Sequence, residues 1–538
     1  MRKFIFLLLS VFAVHHIFAG GVVVLAHEGG YTTALANHLK RWLSIEGVQS
    51  AVHTPSSMSG ALAKARLAFL VGFNEPTKAE MKALTAFRER GGKLVVFHSA
   101  SPQLGRLMGV TPLGYTKARY PGCWSRMDFN TKMPDGLPVS VRQSSTVLQR
   151  ALPVKGQGRV IATWSDRQGR STGDAAWIAT SGGFWMTHVL LADGDEDLKA
   201  RLLGAIVGSI DSRLWNFSRH LSREMARKEA TRRFALEQTS RPGEIHAVWD
   251  HSGCGLYPGD WPRTMRVLKD AKITDIFVNV AGAGFAHYAS DILPRSKTFQ
   301  QEGDQLSRCV AAARVSGIRV HAWILCFTAT RATPERLEIF RKRGWRLKNR
   351  EGKLTEYLDP SNAAVRSYIL DAVSELQTRY QIDGVHLDFV RWYERSAKPA
   401  DSVSVISRFV ADSRRRVKRP KWLTAAVLGK YPACVASVAQ DWDAWLEMNL
   451  IDYAVPMDYT ESNSKFESFI MQHASKKSHA RRTIAGLGIT ANESRLDARK
   501  TIEQIKIARR YNLAGVALFD LDVNLEKNIF PYLKLGVW

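Results

Sequence analysis

Carboxylates and aromatic side chains recur in this sequence directly after short apolar stretches that predict β-strands. Aromatic rings can stack on the apolar faces of sugars, while carboxylates bond hydroxyl groups and carry out acid–base chemistry. Nothing in the sequence resembles a phosphate loop or a cofactor fingerprint, so we expect no cofactor. We assign no metal ligands, and the sequence leaves metal dependence open, with Asp520 and Asp522 as an acid pair that would need further oxygen ligands to hold Ca²⁺. The predicted site is a carbohydrate site, and its candidate substrate-binding residues are Trp249, Asp250, His287, Tyr288, Trp323, His386, Arg391, Trp392, Glu394, Tyr459, Glu461 and Asp520.

The hexapeptide DGVHLD at residues 383–388 ends one of these apolar strands. Because side chains alternate along a strand, His386 and Asp388 share one face and can both point into the same cleft. Asp388 is therefore the predicted catalytic carboxylate. It would attack the anomeric carbon or stabilise the positive charge that develops there.

A glycosidase normally needs a second carboxyl group, about 5 Å from the first for retention of configuration and farther away for inversion. Asp458, at the end of another predicted strand, is the predicted second catalytic residue. Glu394, Glu461 and Asp250 are its rivals. The sequence leaves open whether the product retains or inverts its configuration.

A repeated strand–helix pattern supplies the elements that would position these residues. From Glu244 onward, an apolar strand followed by a helix-like stretch occurs eight times in about 290 residues, which is the size and order of a (β/α)₈ barrel. Active sites in this fold lie at the carboxyl ends of the strands. The predicted strands are Ile245–Trp249, Ile273–Val280, Ile318–Leu325, Gly384–Val390, Leu423–Leu428, Ile451–Met457, Thr483–Ile489 and Val516–Leu521.

The run LDPSNAAVRSYILDAVSELQTRYQIDGVHLDFVRWYE at residues 358–394 closely resembles the glycosyl-hydrolase-like domain of the family-10-like type, found in exported bacterial proteins. GIRVHAW at 317–323, QDW at 440–442 and DYAVPMDY at 452–459 agree with it. The resemblance covers nearly all of residues 245–521. It implies a TIM barrel that hydrolyses glycosidic bonds in a polysaccharide, such as cell-wall glycan. A non-catalytic carbohydrate-binding barrel and a cell-wall scaffold are the alternatives.

The fourth strand is also similar to that of α-amylase-type and α-galactosidase-type barrels, whose nucleophilic Asp corresponds to Asp388. The α-galactosidase-like barrels place their acid/base on strand six, and this similarity points to Asp458. Family 18 chitinases resemble the strand through a D-x-x-D-x-D-x-E pattern, but their acid Glu corresponds to Val390 here. The resemblance therefore argues against substrate-assisted chitinase chemistry.

Residues 20–212 alternate strands and helices, which predicts an open parallel α/β sheet domain ahead of the barrel. The segment AFLVGFNEPTKAEMKALTAFRERGGKLVVFHSA at 68–100 resembles class I glutamine-amidotransferase-like domains. In that family a nucleophilic Cys follows the strand, whereas His98-Ser99-Ala100 occupies the place here. The domain is predicted to be a docking or structural domain, with Ser99 as a substitute nucleophile as the alternative.

The first residues, MRK followed by an apolar run and a small residue at Ala19, predict a signal peptide over residues 1–19. The mature protein is then periplasmic or secreted, with no membrane span after cleavage, because no later segment approaches spanning length. Residues 213–243 are charged and lack Gly and Pro until Pro242, which predicts a basic helical linker between the first domain and a barrel over residues 244–538.

The formal net charge is +26 at neutral pH. The electric field of such a positive charge attracts anionic polymers. Because export argues against nucleic acid, the expected partner is a polysaccharide or peptidoglycan, and an anionic polymer would explain the charge. Solubility alone is the competing explanation of the charge. The five cysteines are scattered singly, and a pairing of Cys254 with Cys326 stays open, as does the oligomeric state.

Overall fold

A computed structural model describes residues 21–120, 122–132, 134–192 and 195–538. The predicted signal peptide lies outside these residues. The chain divides into two compact units, Met1–Arg227 and Lys228–Trp538, which we call the N-terminal unit and the barrel unit. Within the described ranges, no helix combines the length and the apolar character needed to cross a membrane.

The N-terminal unit is built around one mixed sheet. Its strands are β1 Val22–Ala26, β2 Ser50–His53, β3 Leu67–Val71, β4 Lys93–Phe97, β5 Val110–Lys117, β6 Trp124–Phe129, β7 Ser140–Ser145, β8 Val147–Pro153, β9 Gly158–Ser165, β10 Ser171–Thr180 and β11 Gly183–Met186. Its helices are α1 Gly30–Ile45, α2 Met58–Lys64, α3 Lys78–Glu89, α4 Pro102–Met108, α5 Glu196–Ile210 and α6 Phe217–Leu236, with a 3₁₀ turn at Pro55–Ser57. The division between the two units falls inside α6, which forms most of the predicted linker.

The mixed sheet contains nine of these strands, in the order β2-β1-β3-β4-β11-β10-β9-β6-β7, and β5 pairs with β8 in a separate antiparallel sheet. The strands β2, β1, β3, β4 and β11 are parallel, as the sequence predicts. The other half is antiparallel, which the sequence did not predict. The reason is the short connections in this half, because parallel strands need a crossover of a dozen residues or more, whereas only two residues join β10 to β11.

The barrel unit contains the predicted alternation of strands and helices. Its strands are β12 Ile245–Asp250, β13 Asp275–Gly282, β14 Phe285–Ala286, β15 Arg319–Leu325, β16 Arg346–Lys348, β17 Leu354–Leu358, β18 Gly384–Asp388, β19 Trp422–Leu428, β20 Tyr453–Met457, β21 Ile484–Gly488 and β22 Gly515–Phe519. Its helices are α7 Trp261–Asp270, α8 Lys297–Glu302, α9 Gln305–Ser316, α10 Pro334–Lys342, α11 Ala363–Arg379, α12 Ser402–Arg416, α13 Ala433–Val438, α14 Trp442–Glu447, α15 Asn463–His473, α16 Lys477–Ala480, α17 Ala498–Arg510 and α18 Phe530–Tyr532, with π-helical segments at Leu525–Ile529 and Leu533–Val537.

Eight parallel strands close into a barrel in the order β12-β22-β21-β20-β19-β18-β15-β13, and a pairing of β12 with β13 completes the ring. The predicted (β/α)₈ barrel is confirmed, and each predicted strand agrees with an observed one to within two residues at either end. Side chains alternate between the barrel interior and the surrounding helices. Trp249, Phe277 and Trp323 pack inside the barrel, whereas the neighbouring residues of their strands pack outward.

Asp275 forms a buried ionic cluster at the amino end of the barrel. Its Oδ1 accepts hydrogen bonds from Nε2 of His321 at 2.8 Å and Nε of Arg319 at 2.7 Å, and its Oδ2 accepts one from Nη2 of Arg319 at 2.7 Å. Burial alone would raise the pKa of Asp275, but the hydrogen bonds and charges of His321 and Arg319 outweigh it and lower the pKa to about 2. The ionised carboxylate therefore stabilises the folded barrel at neutral pH.

Replacing Asp275 by asparagine is expected to lower the free energy of unfolding by about 3 kcal/mol at pH 7, because the buried His321 and the half-exposed Arg319 would lose the buried carboxylate that accepts their hydrogen bonds. The stabilisation is complete above the unfolded-state pKa of about 4 and is lost as the pH falls through the folded-state pKa. Urea unfolding of both proteins at pH 7 and at pH 3 measures it.

Asp270→Asn is the matched control, because Asp270 forms an ion pair with Lys534 while remaining largely exposed. Exposed pairs contribute less than about 1 kcal/mol, so this variant should unfold almost like the wild type. Equal losses for the two variants would contradict the stabilising role of the buried cluster.

Candidate active site

The carboxyl ends of the eight strands form one face of the barrel, which we call the mouth. Asp388 ends β18 there, and only 7% of its side chain is exposed. Its Oδ2 accepts a hydrogen bond from Nε1 of Trp323 at 3.2 Å, its Oδ1 accepts one from the backbone of Phe389 at 2.6 Å, and Nη1 of Arg391 lies 3.6 Å from Oδ1. Burial raises the pKa of Asp388, while Arg391, Phe389 and Trp323 favour its ionised form.

The backbone turns sharply just after Asp388. Phe389 has a φ of 49°, in the left-handed region that an aromatic residue rarely adopts, and such strain costs about 1–3 kcal/mol. The surroundings hold this conformation, because Cys326 and Phe327 donate backbone hydrogen bonds to the carbonyls of Asp388 and Phe389 at 2.8 and 3.3 Å. The guanidinium of Arg391 lies over the Phe389 ring at 4.2 Å. The turn thereby keeps a donor and a cation beside the carboxylate.

Asp520 follows β22 at the same face. Its Oδ1 accepts backbone hydrogen bonds from His251 at 3.1 Å and from Leu521 at 2.7 Å. Burial raises the pKa of Asp520 to about 7, and the nearby charges of Asp250 and Asp522 act in the same direction against those hydrogen bonds. At neutral pH a large fraction of this carboxyl group keeps its proton.

Two residues connect the surroundings of Asp388 and Asp520. The ring of His251 lies 5.8 Å from that of Trp323, the donor to Asp388, and its backbone binds Asp520. Burial and the charge of Arg331 lower the pKa of His251, and the charge of Asp388 opposes them. Burial raises the pKa of Tyr459 well above its usual value, and the charges of Asp388 and then Asp520 add to this effect. The two carboxyl groups therefore act on the same side chains.

The floor beneath the mouth is a closed aromatic layer. Nε1 of Trp249 donates to Nε2 of His386 at 3.0 Å, so the proton of His386 lies on Nδ1, 2.8 Å from Oγ1 of Thr424. Phe277 stacks on His386 with a centroid separation of 4.2 Å. Burial lowers the pKa of His386 well below its usual value, so this imidazole is neutral. Trp249 is 1% exposed and Trp323 is 4% exposed, so both rings support the site from within the barrel rather than offering an open face.

The structure does not bring Asp458 to Asp388. Asp458 is fully buried, and Nε2 of His473, on α15, lies 2.9 Å from its Oδ1. Because side chains alternate along a strand, Tyr459 faces the barrel interior while Asp458 points outward to the helices. We expected Asp458 to be the second catalytic carboxyl group, but its side chain points out of the barrel and contacts His473 there.

Asp250 and Tyr288 also serve the structure around the mouth. Asp250 is fully buried and accepts backbone hydrogen bonds from Ser252, Gly253 and Gly255 at 3.1, 3.2 and 2.8 Å, so it shapes the loop after β12. The hydroxyl of Tyr288 donates to Glu375 on α11 at 3.0 Å, and the side chain has no exposed surface. Neither side chain is in position to contact a substrate.

The remaining predicted residues differ in their access to solvent. Trp392 is buried in the packing outside the barrel, whereas Glu394 is exposed in the loop after β18. The exposed Glu461 accepts the backbone hydrogen bond of Arg495 at 3.1 Å. His287 is buried, with Nδ1 2.6 Å from Oγ of Ser296 and Nε2 3.2 Å from Nη2 of Arg331.

Sequence reasoning placed His251 after the first predicted strand without assigning it a role, and it missed Arg331. His251 had a usable signal, since it directly follows the predicted strand that ends in Trp249 and Asp250. Arg331 had none, because it comes from the loop between β15 and α10. Its guanidinium lies 4.1 Å from the Phe285 ring centroid and its charge acts on His251.

The features singled out for metals and thiols have other roles. In the described part of the chain, no group of three or more His, Cys, Asp and Glu side chains is arranged to hold a metal ion. Asp522, which follows Asp520, accepts the backbone hydrogen bond of Leu525 at 2.8 Å. Cys254 and Cys326 are free thiols, as are the other three cysteines.

In the N-terminal unit, the residues after β4 form a tight turn in which His98 has a φ of 48°. The hydroxyl of Ser99 is buried, donates to the carbonyl of Phe73 at 2.7 Å and accepts a hydrogen bond from the backbone of Ser101 at 3.2 Å. A hydroxyl engaged on both sides is a poor nucleophile, which disfavours the alternative role of Ser99. The likeness to amidotransferase-like domains stays a prediction.

A closed (β/α)₈ barrel with acidic and aromatic side chains at its carboxyl face has the architecture of many carbohydrate-active enzymes. Residues 260–404 match the family model described as glycosyl hydrolase-like 10. This match confirms the family resemblance inferred from residues 358–394 and supports a glycoside-hydrolase-like role for the barrel. No curated protein matches the sequence.

Solved structures with similar folds include glycosidases. An α-L-fucosidase isoenzyme from Paenibacillus thiaminolyticus is 11% identical over 55% of this chain and 48% of its own, with a TM-score of 0.40. The second catalytic domain of a group II chitinase from Ostrinia furnacalis is 12% identical over 55% and 95%, with a TM-score of 0.38. A ThuA-like protein from Bacteroides uniformis is 14% identical over 36% and 93%, with a TM-score of 0.29. The chain thus spans about half the length of the fucosidase.

Proposed function

We propose that this protein hydrolyses glycosidic bonds in a polysaccharide, with Asp388 and Asp520 as its two catalytic carboxyl groups. The observation that carries the proposal is the pair of environments at the mouth. Burial raises the pKa of both carboxyl groups, to about 7 for Asp520, while Arg391 and the donors Phe389 and Trp323 oppose that rise at Asp388. Acid-assisted glycoside cleavage needs one ionised and one protonated carboxyl group, and the cation and donors around Asp388 make it the better candidate for the ionised one.

Asp388 acts on the anomeric carbon. Its carboxylate attacks that carbon or stabilises the oxocarbenium-like charge that develops there. The indole of Trp323 and the guanidinium of Arg391 hold the carboxylate in one orientation, so little reorganisation is needed as the charge grows. The strained turn at Phe389 supports this role, because functional sites often retain such conformations.

Asp520 protonates the leaving oxygen. Its two backbone donors both bind Oδ1, which leaves Oδ2 to hold the transferable proton. A general acid works best when its pKa lies near the working pH, and the pKa of about 7 satisfies this condition. Asp520 takes the role that we expected for Asp458, whose carboxylate faces His473 instead.

Tyr459 and His251 complete the proposed site. The raised pKa of Tyr459 keeps its phenol protonated, so that it can donate a hydrogen bond to a sugar oxygen or to Asp388. His251, which keeps part of its surface in solvent, offers a ring at the mouth between Trp323 and Phe519, whose centroids lie 5.8 and 6.0 Å away. These two residues replace the buried Trp249 as the surfaces that would meet a sugar.

The polymer belongs to the cell envelope or to the surroundings of the cell in this proposal, which rests on the predicted signal peptide and a periplasmic or secreted location. Peptidoglycan strands and acidic polysaccharides fit the net charge of +26. The family match at residues 260–404 supports the reaction class.

Incubation of the purified protein with peptidoglycan strands, chitin oligomers and acidic polysaccharides tests the proposal. We expect new reducing ends on one class of glycan, detected by chromatography and mass spectrometry. Binding of a glycan without any product would support the non-catalytic carbohydrate-binding barrel instead. If no glycan binds and none is cleaved, both functions are wrong and a scaffold role gains support.

A further inference from the structure

A small basic pocket lies at the amino end of α6, within the N-terminal unit. It is lined by Arg213, Trp215, Asn216, Arg219, His220 and Arg223, and we call it the Arg213 pocket. Its volume is about 20 Å³, enough for one or two oxygen-sized groups and far too small for a sugar ring. The pocket can therefore take one or two oxygen atoms of a ligand whose remainder stays outside.

Arg219 and Arg223 carry the unbalanced charge of this pocket. They are one helical turn apart and therefore lie on the same face of α6. Both side chains are exposed, and across the ranges that the structure describes, neither guanidinium takes part in a hydrogen bond or ion pair within the chain. The N–H donors of these two guanidiniums are therefore available to an external anion.

The acidic group beneath the pocket is shared by two arginines. Asp211 accepts hydrogen bonds from Nε and Nη2 of Arg213 at 2.9 and 2.8 Å, and from Nη1 of Arg66 at 2.8 Å. Hydrogen bonds from Arg213 lower the pKa of Asp211 to about 2, so it is ionised at neutral pH. One carboxylate between two guanidiniums leaves a net positive charge at this edge of the pocket.

The glutamates near the pocket face His220 rather than the free arginines. Glu46 is buried, and its Oε2 accepts a hydrogen bond from Nε1 of Trp215 at 2.8 Å and lies 2.6 Å from Nδ1 of His220. Glu224 lies 3.6 Å from Nε2 of the same imidazole. Glu46 therefore fixes the wall of the pocket, and neither glutamate forms an ion pair with Arg219 or Arg223 in the described structure.

We propose that the Arg213 pocket binds a phosphate group carried by an anionic polymer. Arg219 and Arg223 each present a planar set of N–H donors, and Arg213 adds the part of its charge that Asp211 does not neutralise. A phosphate inside a polymer chain presents two non-bridging oxygens in a tetrahedral arrangement, so that one oxygen can enter the pocket while the other faces an exposed guanidinium. The pocket also lies at the positive end of a helix of 20 residues.

This site is separate from the proposed catalytic mouth. All of its residues belong to the N-terminal unit, and none of them takes part in the chemistry assigned to Asp388 and Asp520. It gives the N-terminal unit a function of its own, which is to hold the protein on a phosphate-bearing polymer. The overall charge of +26 would draw such a polymer towards the protein, and the pocket would supply the specific contact.

The test measures binding of fluorescently labelled long-chain polyphosphate to the full chain by anisotropy in 50 mM salt. The double variant Arg219→Gln/Arg223→Gln should bind about tenfold more weakly, the effect of two exposed ion pairs. The matched control is Arg106→Gln/Arg159→Gln, which removes the same charge from two exposed arginines of the same unit and should weaken binding less than about twofold. Inorganic phosphate should compete, and labelled dextran should not bind.

An equal loss for both double variants would overturn the proposal, because net charge alone would then explain binding. If the Arg219→Gln/Arg223→Gln variant lost more affinity for polygalacturonate than for polyphosphate, the pocket would be a carboxylate site and the proposal would be wrong. Binding to anionic phospholipid vesicles through these arginines, without binding to polyphosphate, would assign it to a membrane surface. Asp388→Asn should bind polyphosphate like the wild type, so that failure of the proposed hydrolysis and failure of this site give different results.

Discussion

Replacing Asp388 by asparagine is expected to lower kcat for the cleaved glycan by at least about a thousandfold, the loss typical when a catalytic carboxylate is removed. Asparagine has nearly the same shape and keeps an acceptor for Trp323, but it carries no charge for the anomeric centre. Arg391 would also lose the anion that faces it. Initial rates of release of reducing ends, measured on the glycan that the wild type cleaves, give the ratio.

Binding should change much less than turnover in this variant. Because the side chain keeps its size, the affinity for uncleaved glycan should stay within about tenfold of the wild type, which corresponds to less than about 1.4 kcal/mol. Asp371→Asn, an exposed substitution of the same kind on α11, is the control and should leave kcat unchanged. If Asp388→Asn keeps more than about a tenth of the wild-type rate, Asp388 is not the catalytic group.

The second prediction concerns the pH dependence set by Asp520. Because this group must be protonated to donate to the leaving oxygen, kcat should fall as the pH rises through about 7, approaching a tenfold loss for each further pH unit. Asp520→Asn should remove this alkaline limb and lower kcat by about 10²–10⁴, the usual contribution of a general acid. Rates measured from pH 5 to pH 9 test both statements.

The same ionisation affects stability with a predictable sign. The folded-state pKa of Asp520 lies above the unfolded value of about 4, so the folded state binds the extra proton and stability should fall as the pH rises from about 4 to about 7. The asparagine variant should lack this contribution. Urea unfolding across that range separates it from the catalytic effect.

Asp458→Asn is the matched control for the pH profile. Asp458 pairs with the buried His473, so its replacement should lower the free energy of unfolding while the alkaline limb of kcat stays in place. Loss of the limb in this variant, with retention in Asp520→Asn, would return the role of general acid to Asp458.

The barrel itself was predictable from the sequence because its pattern is local. Each strand is a short apolar run followed by a helix-length segment, and eight repeats of this unit leave few alternatives to a closed barrel. The placement of Asp388 on the inner face of β18 followed from simple alternation, since His386 and Asp388 are two residues apart. The antiparallel half of the N-terminal sheet was not predicted, because pairings such as β9 with β6 join residues far apart in the sequence. The short turns between neighbouring strands, which are too short for a parallel crossover, were a local sign of antiparallel pairing.

The roles of the polar residues were harder to predict, since each depends on a partner far away in the chain. Asp458 ends a predicted apolar strand, as Asp388 does. Its side chain, however, lies on the opposite face from that of Tyr459 and contacts His473. Tyr288 looked like a sugar-stacking ring, but it is buried against Glu375. Local spacing carries no information about these partners.

By itself, the sequence determined the barrel, the strand order and the face of β18 on which Asp388 lies, because all three follow from the period of apolar residues along the chain. Only the tertiary structure showed that Asp458 contacts His473 outside the barrel, whereas Asp520 lies at the carboxyl face together with Asp388. The protonation of Asp520 depends on burial and on neighbouring charges from β12 and the loop after β22, and these come together only when the barrel closes.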